Sequence, residues 1–121
     1  MDLRIIGIRD AGSPSERLLL KAVRDCSLYG YVILDNVYDD SGELSNAFRH
    51  VFVFPKDEVK KDEYIRVWTK KGQPHISQST FNMQPAVYHN YYRGFDADMT
   101  VWEMKEDTSF LLHVDDSNIP L

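Results

Sequence analysis

The fold is decided by a stretch that runs Gly30-Tyr31-Val32-Ile33-Leu34-Asp35, then Asp40-Ser41-Gly42, then Arg49-His50-Val51-Phe52-Val53-Phe54-Pro55. Branched and aromatic residues dominate the two outer parts, and the middle part holds the polar residues and the glycine typical of turns. The pattern predicts two β-strands joined by a long loop, with proline ending the second strand. Similar strand-like runs recur in the second half of the chain, so the sequence predicts an all-β domain.

Length and composition indicate one folded domain. The chain has 121 residues, 43% of them hydrophobic. A domain of this size buries about two-thirds of the surface that its unfolded chain exposes, which is enough for a sizeable core. No linker or internal repeat interrupts the sequence, so residues 1–121 are predicted to form a single domain, with 115–121 as a flexible tail.

Charge and cysteine content narrow the classes of function. The chain carries 14 Lys and Arg against 19 Asp and Glu, and its net charge of −5 gives no general attraction for nucleic acid or for an anionic membrane. Cys26 is the only cysteine, so neither an intrachain disulfide nor a multi-cysteine zinc site can form. The sequence contains no recognisable signal peptide or membrane span, which favours an intracellular location if the chain is complete.

Upstream of the opening stretch, Leu3–Arg9 is predicted to be a strand. The next segment has two interpretations. Ser13-Pro14-Ser15-Glu16 matches a helix capping box, and apolar residues follow it at helical spacing. The same residues also alternate as a strand would over residues 17–25. On local sequence alone the helix is favoured.

Downstream, the sequence predicts further short strands separated by polar turns. They cover residues 63–69, 101–104 and 109–114, and the last two form a hairpin around Lys105-Glu106-Asp107. Residues 75–98, rich in Gln, Asn and Tyr, are predicted to form one long irregular loop. Short strands at this spacing are typical of an antiparallel sandwich or barrel.

Four segments together resemble the lamin-tail domain family. They are Tyr29-Gly30-Tyr31-Val32-Ile33-Leu34-Asp35, Phe48-Arg49-His50-Val51-Phe52-Val53-Phe54-Pro55, Tyr64-Ile65-Arg66-Val67-Trp68-Thr69-Lys70-Lys71-Gly72 and Val101-Trp102-Glu103-Met104-Lys105-Glu106-Asp107-Thr108-Ser109-Phe110-Leu111-Leu112. In that family a glycine–aromatic strand, an aromatic strand ending in proline, a valine-rich strand entering glycine, and a Val-Trp followed by an Asp-Thr strand occur in this order.

The resemblance implies an immunoglobulin-like β-sandwich and a role as a scaffold or adaptor. It also implies a strand, not a helix, over residues 17–25. Two layers of strands are then expected to close over Phe52, Trp102 and Phe110. Because sandwich folds host many unrelated activities, the function has to be argued from particular surfaces.

The sequence offers no pattern typical of an enzyme. The four histidines, His50, His75, His89 and His113, lack the short spacing of metal ligands. Neither a nucleophile elbow nor a glycine-rich phosphate loop is present, and Cys26 follows an apolar run, as inert packing cysteines do. We therefore expect no catalytic residue, no metal and no cofactor, and keep a hydrolase or metal-dependent enzyme as a third alternative.

Two groups of residues are candidates for binding. The first is the densest aromatic and arginine cluster, of the types that dominate protein interfaces: Tyr88, Tyr91, Tyr92, Arg93 and Phe95. Its alternative is a satellite core in which the predicted loop buries these rings. The second is a basic patch around one strand, suited to nucleic acid: Lys60, Lys61, Arg66, Trp68, Lys70 and Lys71. Its alternative is an ordinary mixed-charge face, because acidic residues lie among the lysines.

The leading hypothesis is a non-enzymatic interaction module that presents the Tyr88-containing loop, or an edge strand, to a protein partner. A nucleic-acid-associated module is the second hypothesis, and the net charge disfavours it. Edge strands also allow pairing between copies of the chain, so a homo-oligomer is a further possibility.

Overall fold

The computed structural model describes residues 1–36, 50–95 and 108–114 of the chain. Strands dominate these residues, and no helix occurs among them. The strands are β1 (Leu3–Arg9), β2 (Arg17–Ala22), β3 (Cys26–Ser27), β4 (Tyr31–Asn36), β5 (His50–Val53), β6 (Glu58–Val59), β7 (Tyr64–Lys70), β8 (His75–Phe81), β9 (Gln84–Phe95) and β10 (Thr108–His113). The prediction of an all-β domain is confirmed.

Most of these strands belong to two sheets. The larger has five strands in the order β1-β2-β7-β9-β8, and the smaller has three in the order β10-β4-β5. Neighbouring strands are antiparallel except for β7 and β9, which run parallel. A short pair, β3 with β6, lies outside both sheets. The two described strands of the opening stretch, β4 and β5, therefore form the centre and one edge of the three-stranded sheet.

One apolar core is shared by the two sheets. The five-stranded sheet contributes Leu18, Leu20, Ile65, Val67 and Tyr91, and the smaller sheet contributes Tyr31 and Ile33, with Phe54 just beyond β5. Phe52 packs against this core, as expected from the sequence. Full burial of one such side chain stabilises the fold by about 1.5–3 kcal/mol, so this cluster is the main source of stability.

Residues 17–22 form a strand, so the local preference for a helix is wrong. Leu18, Leu19 and Leu20 are all buried, because β2 lies inside the sheet and has apolar neighbours on both faces. Glu16 does not cap a helix. Its fully buried carboxylate accepts hydrogen bonds from the Gly12 backbone N–H at 2.8 Å and the Thr69 hydroxyl at 2.7 Å. Tertiary packing here overrides a local helix signal.

Residues 75–95 form a hairpin of β8 and β9, so the predicted long irregular loop is wrong there. The hairpin closes on Asn82 and Met83, whose φ angles of 48° and 67° are both positive, as a type I′ turn requires. The usual glycine at the second turn position is missing, which explains why these residues do not resemble a turn in the sequence. Four successive residues of β9, from Tyr88 to Tyr91, are buried, because both faces of β9 are covered: Tyr91 packs in the shared core and Tyr88 in a second apolar cluster.

The face of the five-stranded sheet turned away from the shared core, hereafter its outer face, carries a second apolar cluster. Leu19, Tyr64, Ala86 and Tyr88 form it. The ring of Phe81 lies 4.5 Å from that of Tyr64, although β9 separates their strands. The end of the β8–β9 hairpin must therefore curl over the outer face.

The remaining expectations concern the end of the chain. A final strand is confirmed as β10, whose Leu111 packs against the core. The predicted strand over residues 101–104, the turn at 105–107, Trp102 and the tail at 115–121 lie outside the described residues, as does the side chain of Phe110.

Candidate interaction surface

Positive charge in this molecule is concentrated in the larger sheet. None of the 19 Asp and Glu residues lies in the five strands of the larger sheet. Those strands hold half of the 14 Lys and Arg residues: Arg4, Arg9, Arg17, Lys21, Arg66, Lys70 and Arg93. Although the whole chain has a net negative charge, the charged residues in the strands of the larger sheet are all positive.

Strand alternation directs most of these cations to the outer face. In β7, Ile65 and Val67 enter the shared core, so Arg66, Trp68 and Lys70 point outward. The register places Arg17 of β2 opposite Trp68, and Lys21 opposite Tyr64. Arg4 and Arg9 of β1 lie opposite Lys21 and Arg17 in turn, which puts them on the same face.

Trp68 is the centre of this face. The guanidinium carbons of Arg17 and Arg66 lie 4.9 and 5.3 Å from its ring centroid, and the Lys70 ammonium lies 4.6 Å from it. Each cation is within the distance at which an aromatic ring attracts positive charge. Three positive groups are therefore held close together around one ring, and Asp10, in the turn after β1, pairs with one of them at 2.8 Å between Arg17 Nη1 and Asp10 Oδ2.

A buried amide fixes these side chains. Asn90 is 2% exposed, and its Oδ1 accepts hydrogen bonds from Arg66 Nε at 2.8 Å and Trp68 Nε1 at 3.1 Å. Its Nδ2 donates to Ser77 Oγ at 2.9 Å, and Arg66 donates to the same oxygen at 3.0 Å. Burial lowers the pKa of Arg66, which still leaves it cationic at neutral pH. The network holds the indole and guanidinium planes in fixed positions.

Two tyrosines of the first candidate group complete the face. The Tyr88 ring lies 3.8 Å below the Arg66 guanidinium, and the Tyr92 ring stacks on Trp68 with centroids 6.2 Å apart. His75 also stacks on Tyr92, with centroids 5.8 Å apart. We call this surface the cation–aromatic face. Its residues are Arg4, Arg9, Arg17, Lys21, Tyr64, Arg66, Trp68, Lys70, Tyr88 and Tyr92.

The other members of that group lie elsewhere, because successive residues of a strand point to opposite faces. Tyr91 is 4% exposed in the shared core, and its hydroxyl donates to Asp57 Oδ2 at 2.7 Å. Burial, together with this carboxylate, strongly raises the pKa of Tyr91. Phe95 also packs against the core, and Arg93 is half-buried. The predicted cluster is therefore divided between two faces.

The predicted basic patch is divided as well. Arg66, Trp68 and Lys70 stay together, but Lys60 and Lys61 lie in the turn before β7, at the opposite end of that strand. The backbone N–H of Lys61 donates to Asp25 there, at 2.8 Å. Lys71 is exposed just beyond β7. The sequence reasoning missed Arg17 and Lys21, whose alternation with Leu18 and Leu20 becomes visible only when this segment is read as a strand.

The described residues offer little chemistry of other kinds. His89 and Glu63 form a pair with 2.8 Å between Nε2 and Oε1, and His113 stacks on Tyr31. No group of three His, Cys, Asp or Glu side chains converges within the described ranges. Burial and nearby carboxylates raise the pKa of Cys26, which disfavours the reactive thiolate.

Comparison of this chain with models of protein families, with curated proteins and with solved structures finds no match. In the part of the chain that the structure describes, no helix has the length and apolar character to cross a membrane. The class that the fold defines is therefore an all-β domain.

Proposed function

We propose that this protein is a non-enzymatic interaction module, a lamin-tail-like sandwich of immunoglobulin type, that binds an acidic protein partner through its cation–aromatic face. One observation carries the proposal: the five strands of the larger sheet contain half of the chain's 14 cations and none of its 19 acidic residues. Such complementarity selects partners and speeds their encounter. The shared core between two sheets supports the sandwich part of the proposal.

The composition of the face suits a protein partner. Trp, Tyr and Arg are the residues that most often dominate binding energy at protein interfaces. Here Asn90 already orders the Trp68 and Arg66 side chains through hydrogen bonds of 3.1 and 2.8 Å. Less side-chain freedom remains to be lost on binding, which lowers the cost of association.

A single-stranded nucleic acid fits this face less well. Sequence-tolerant binding of single strands uses aromatic rings with open faces on which bases stack. Tyr92 stacks with both Trp68 and His75, and three cations lie over the Trp68 ring. Tyr64 and Tyr88 are buried. The aromatic rings of this face are in contact with cations or with one another, so little of their π surface is left for bases to stack on.

The test is quantitative affinity purification with matched charge reversals. Arg9→Glu with Lys70→Glu reverses two charges on the face, and Lys56→Glu with Lys60→Glu reverses two exposed charges away from it. We expect the first pair to reduce capture of acidic partner proteins at least about tenfold, equivalent to about 1.4 kcal/mol, and the second to leave it nearly unchanged. Unfolding curves serve as the control that both variants are folded. Equal losses in the two variants would contradict the proposal.

The cluster of Arg4, Arg9, Arg17, Lys21, Arg66 and Lys70 on one face also favours a second candidate, binding to a phosphate backbone. Titration with single-stranded oligothymidylate separates the two. If the face binds a phosphate backbone, the affinity for oligothymidylate falls steeply as the salt concentration rises and is lost in the Arg9→Glu, Lys70→Glu variant. Under the leading proposal, oligothymidylate binds weakly to both the wild type and the variant.

A further inference from the structure

The two edges of the five-stranded sheet differ in how they are protected. The β1 edge has a register shift between Ile5 and Gly7 and carries Arg4 and Arg9. Bulges and charges of this kind discourage another strand from pairing there. The β8 edge has neither: its sequence, His75-Ile76-Ser77-Gln78-Ser79-Thr80-Phe81, has no Lys, Arg, Asp, Glu or Pro, and its pairing with β9 has no register shift. Among the described strands, only β9 pairs with β8.

The register identifies which backbone groups face this open edge. Phe81 and Gln84 flank the two-residue turn and form a hydrogen-bonded pair, as residues at that position do. Pairs alternate along an antiparallel ladder, so Ser79 and Ser77 also bond to β9. The N–H and C=O groups of Ile76 and Gln78 then point away from β9. They are available to an added strand.

Two cavities lie along the inner side of this edge, the side that faces the shared core. One, of about 240 Å³, is lined by His75, Ile76, Asp57 and Glu58 among others. The second, of about 540 Å³, is lined by Gln78 and Thr80 of β8 together with Asp62 and Glu63. Ile76 lines the first cavity, and 64% of its surface is exposed. An added strand would place every second side chain into this acidic space.

The charge of the residues that line the two cavities indicates which kind of strand would bind there. Lys61 lines the second cavity, and Lys21 lies 3.6 Å from Asp62, but the carboxylates of the two cavities outnumber these ammonium groups. A second copy of the chain would bring another acidic groove and another net charge of −5 against the same carboxylates. Like charges at an interface oppose pairing, whereas a basic segment is attracted.

We propose that the open edge of β8 binds an extended, basic segment of another protein as a further strand of the sheet. Main-chain hydrogen bonds to Ile76 and Gln78 provide the pairing, as in other cases of strand addition. Lys or Arg side chains at alternate positions of the segment face Asp57, Glu58, Asp62 and Glu63. This site lies on a different surface from the cation–aromatic face and has the opposite charge. A test of strand addition at β8 is therefore independent of the proposed function.

The probe is a synthetic peptide in which Lys alternates with Val. Its matched control has the same sequence with N-methyl groups on alternate backbone nitrogens, which removes the N–H donors but keeps the charge. We expect the first peptide to bind at least about tenfold more tightly than the control in a calorimetric titration. We also expect it to slow amide exchange at Ile76 and Gln78 and to leave exchange in β1 unchanged.

Two variants test whether peptide binding depends on the backbone of the β8 edge and on the carboxylates of the cavities. Gln78→Pro removes an outward N–H, which an edge strand tolerates, and Glu58→Gln with Asp62→Asn removes two exposed carboxylates. Each is expected to weaken binding of the Lys-Val peptide at least about fivefold, while the variant still unfolds in a cooperative transition. Equal binding of both peptides to the wild type, or no binding at all, would overturn the proposal. So would a wild-type dimer joined through β8, which assigns the edge to a second copy.

Discussion

Tyr91 and Tyr92 are neighbours in β9, yet they belong to different parts of the molecule. Tyr91 lies in the apolar core shared by two sheets, with its hydroxyl bonded to Asp57. Tyr92 lies on the opposite face, where it stacks with Trp68 and His75. The inner face of the sheet holds the fold together by burying apolar area, and the outer face holds aromatic rings under positive charge. The same residue type therefore contributes stability on one face and a candidate binding surface on the other.

The largest expected effect is on the inner face. Replacing Tyr91 by Ala removes a large buried side chain and leaves a cavity, so we expect a loss of about 3–5 kcal/mol in the free energy of unfolding. Tyr91→Phe keeps the ring and loses only the hydrogen bond to Asp57, at a cost of about 1 kcal/mol. Urea unfolding monitored by fluorescence measures both. A Tyr91→Ala variant as stable as wild type would show that the ring is not part of the core.

An intermediate effect is expected on the outer face, at Gly72. A Cβ atom on this residue would lie 2.4 Å from the Tyr92 ring, so Gly72→Ala forces the stacked ring to shift. Overpacking of this kind typically costs about 1–3 kcal/mol. The Tyr92→Ala background removes the clash, so the same substitution there should cost much less. Additive effects in this double-mutant cycle would contradict the described packing of Tyr92.

The smallest effect concerns pH and the pair of Glu63 and His89. Burial acts to raise the pKa of Glu63, but hydrogen bonds from the Lys60 backbone and His89 outweigh it and lower the pKa below its usual 4.5. Since the folded pKa is lower than the unfolded one, the carboxylate stabilises the fold above about pH 4.5, and this contribution is lost as pH falls through the folded pKa.

The expected result is a steeper loss of stability for wild type than for Glu63→Gln as the pH falls from about 5 to about 3. Urea midpoints measured at several pH values provide the comparison, with Glu58→Gln as the control at an exposed position. Parallel pH profiles for wild type and Glu63→Gln would show that the pair with His89 adds nothing to stability.

The sequence predicts the fold well where local patterning and sheet position agree. The runs at β4 and β7 are rich in branched and aromatic residues, and both are strands in the structure. The β2 segment was ambiguous, because burial on both faces removes the alternation that identifies a strand. The β8–β9 hairpin was missed, since β8 is polar and its turn lacks glycine.

The candidate surface was predicted only in part, for a reason that lies in the register. Arg66, Trp68 and Lys70 share a face by alternation within one strand, which the sequence reveals. Arg17 joins them because β2 pairs with β7 in one particular register, and Tyr92 joins them through a parallel pairing. Pairing between distant strands is set by the whole fold and not by local sequence.

The central claim is that partners bind the cation–aromatic face and not the outer face of the three-stranded sheet, where Val51, Val53 and Leu112 are exposed. Oxidative footprinting of the protein with and without a captured acidic partner tests this most directly. We predict that the partner protects Trp68 and Tyr92 and leaves Val51, Val53 and Leu112 as reactive as in the free protein. Protection of those three apolar residues, with Trp68 and Tyr92 unchanged, would contradict the claim.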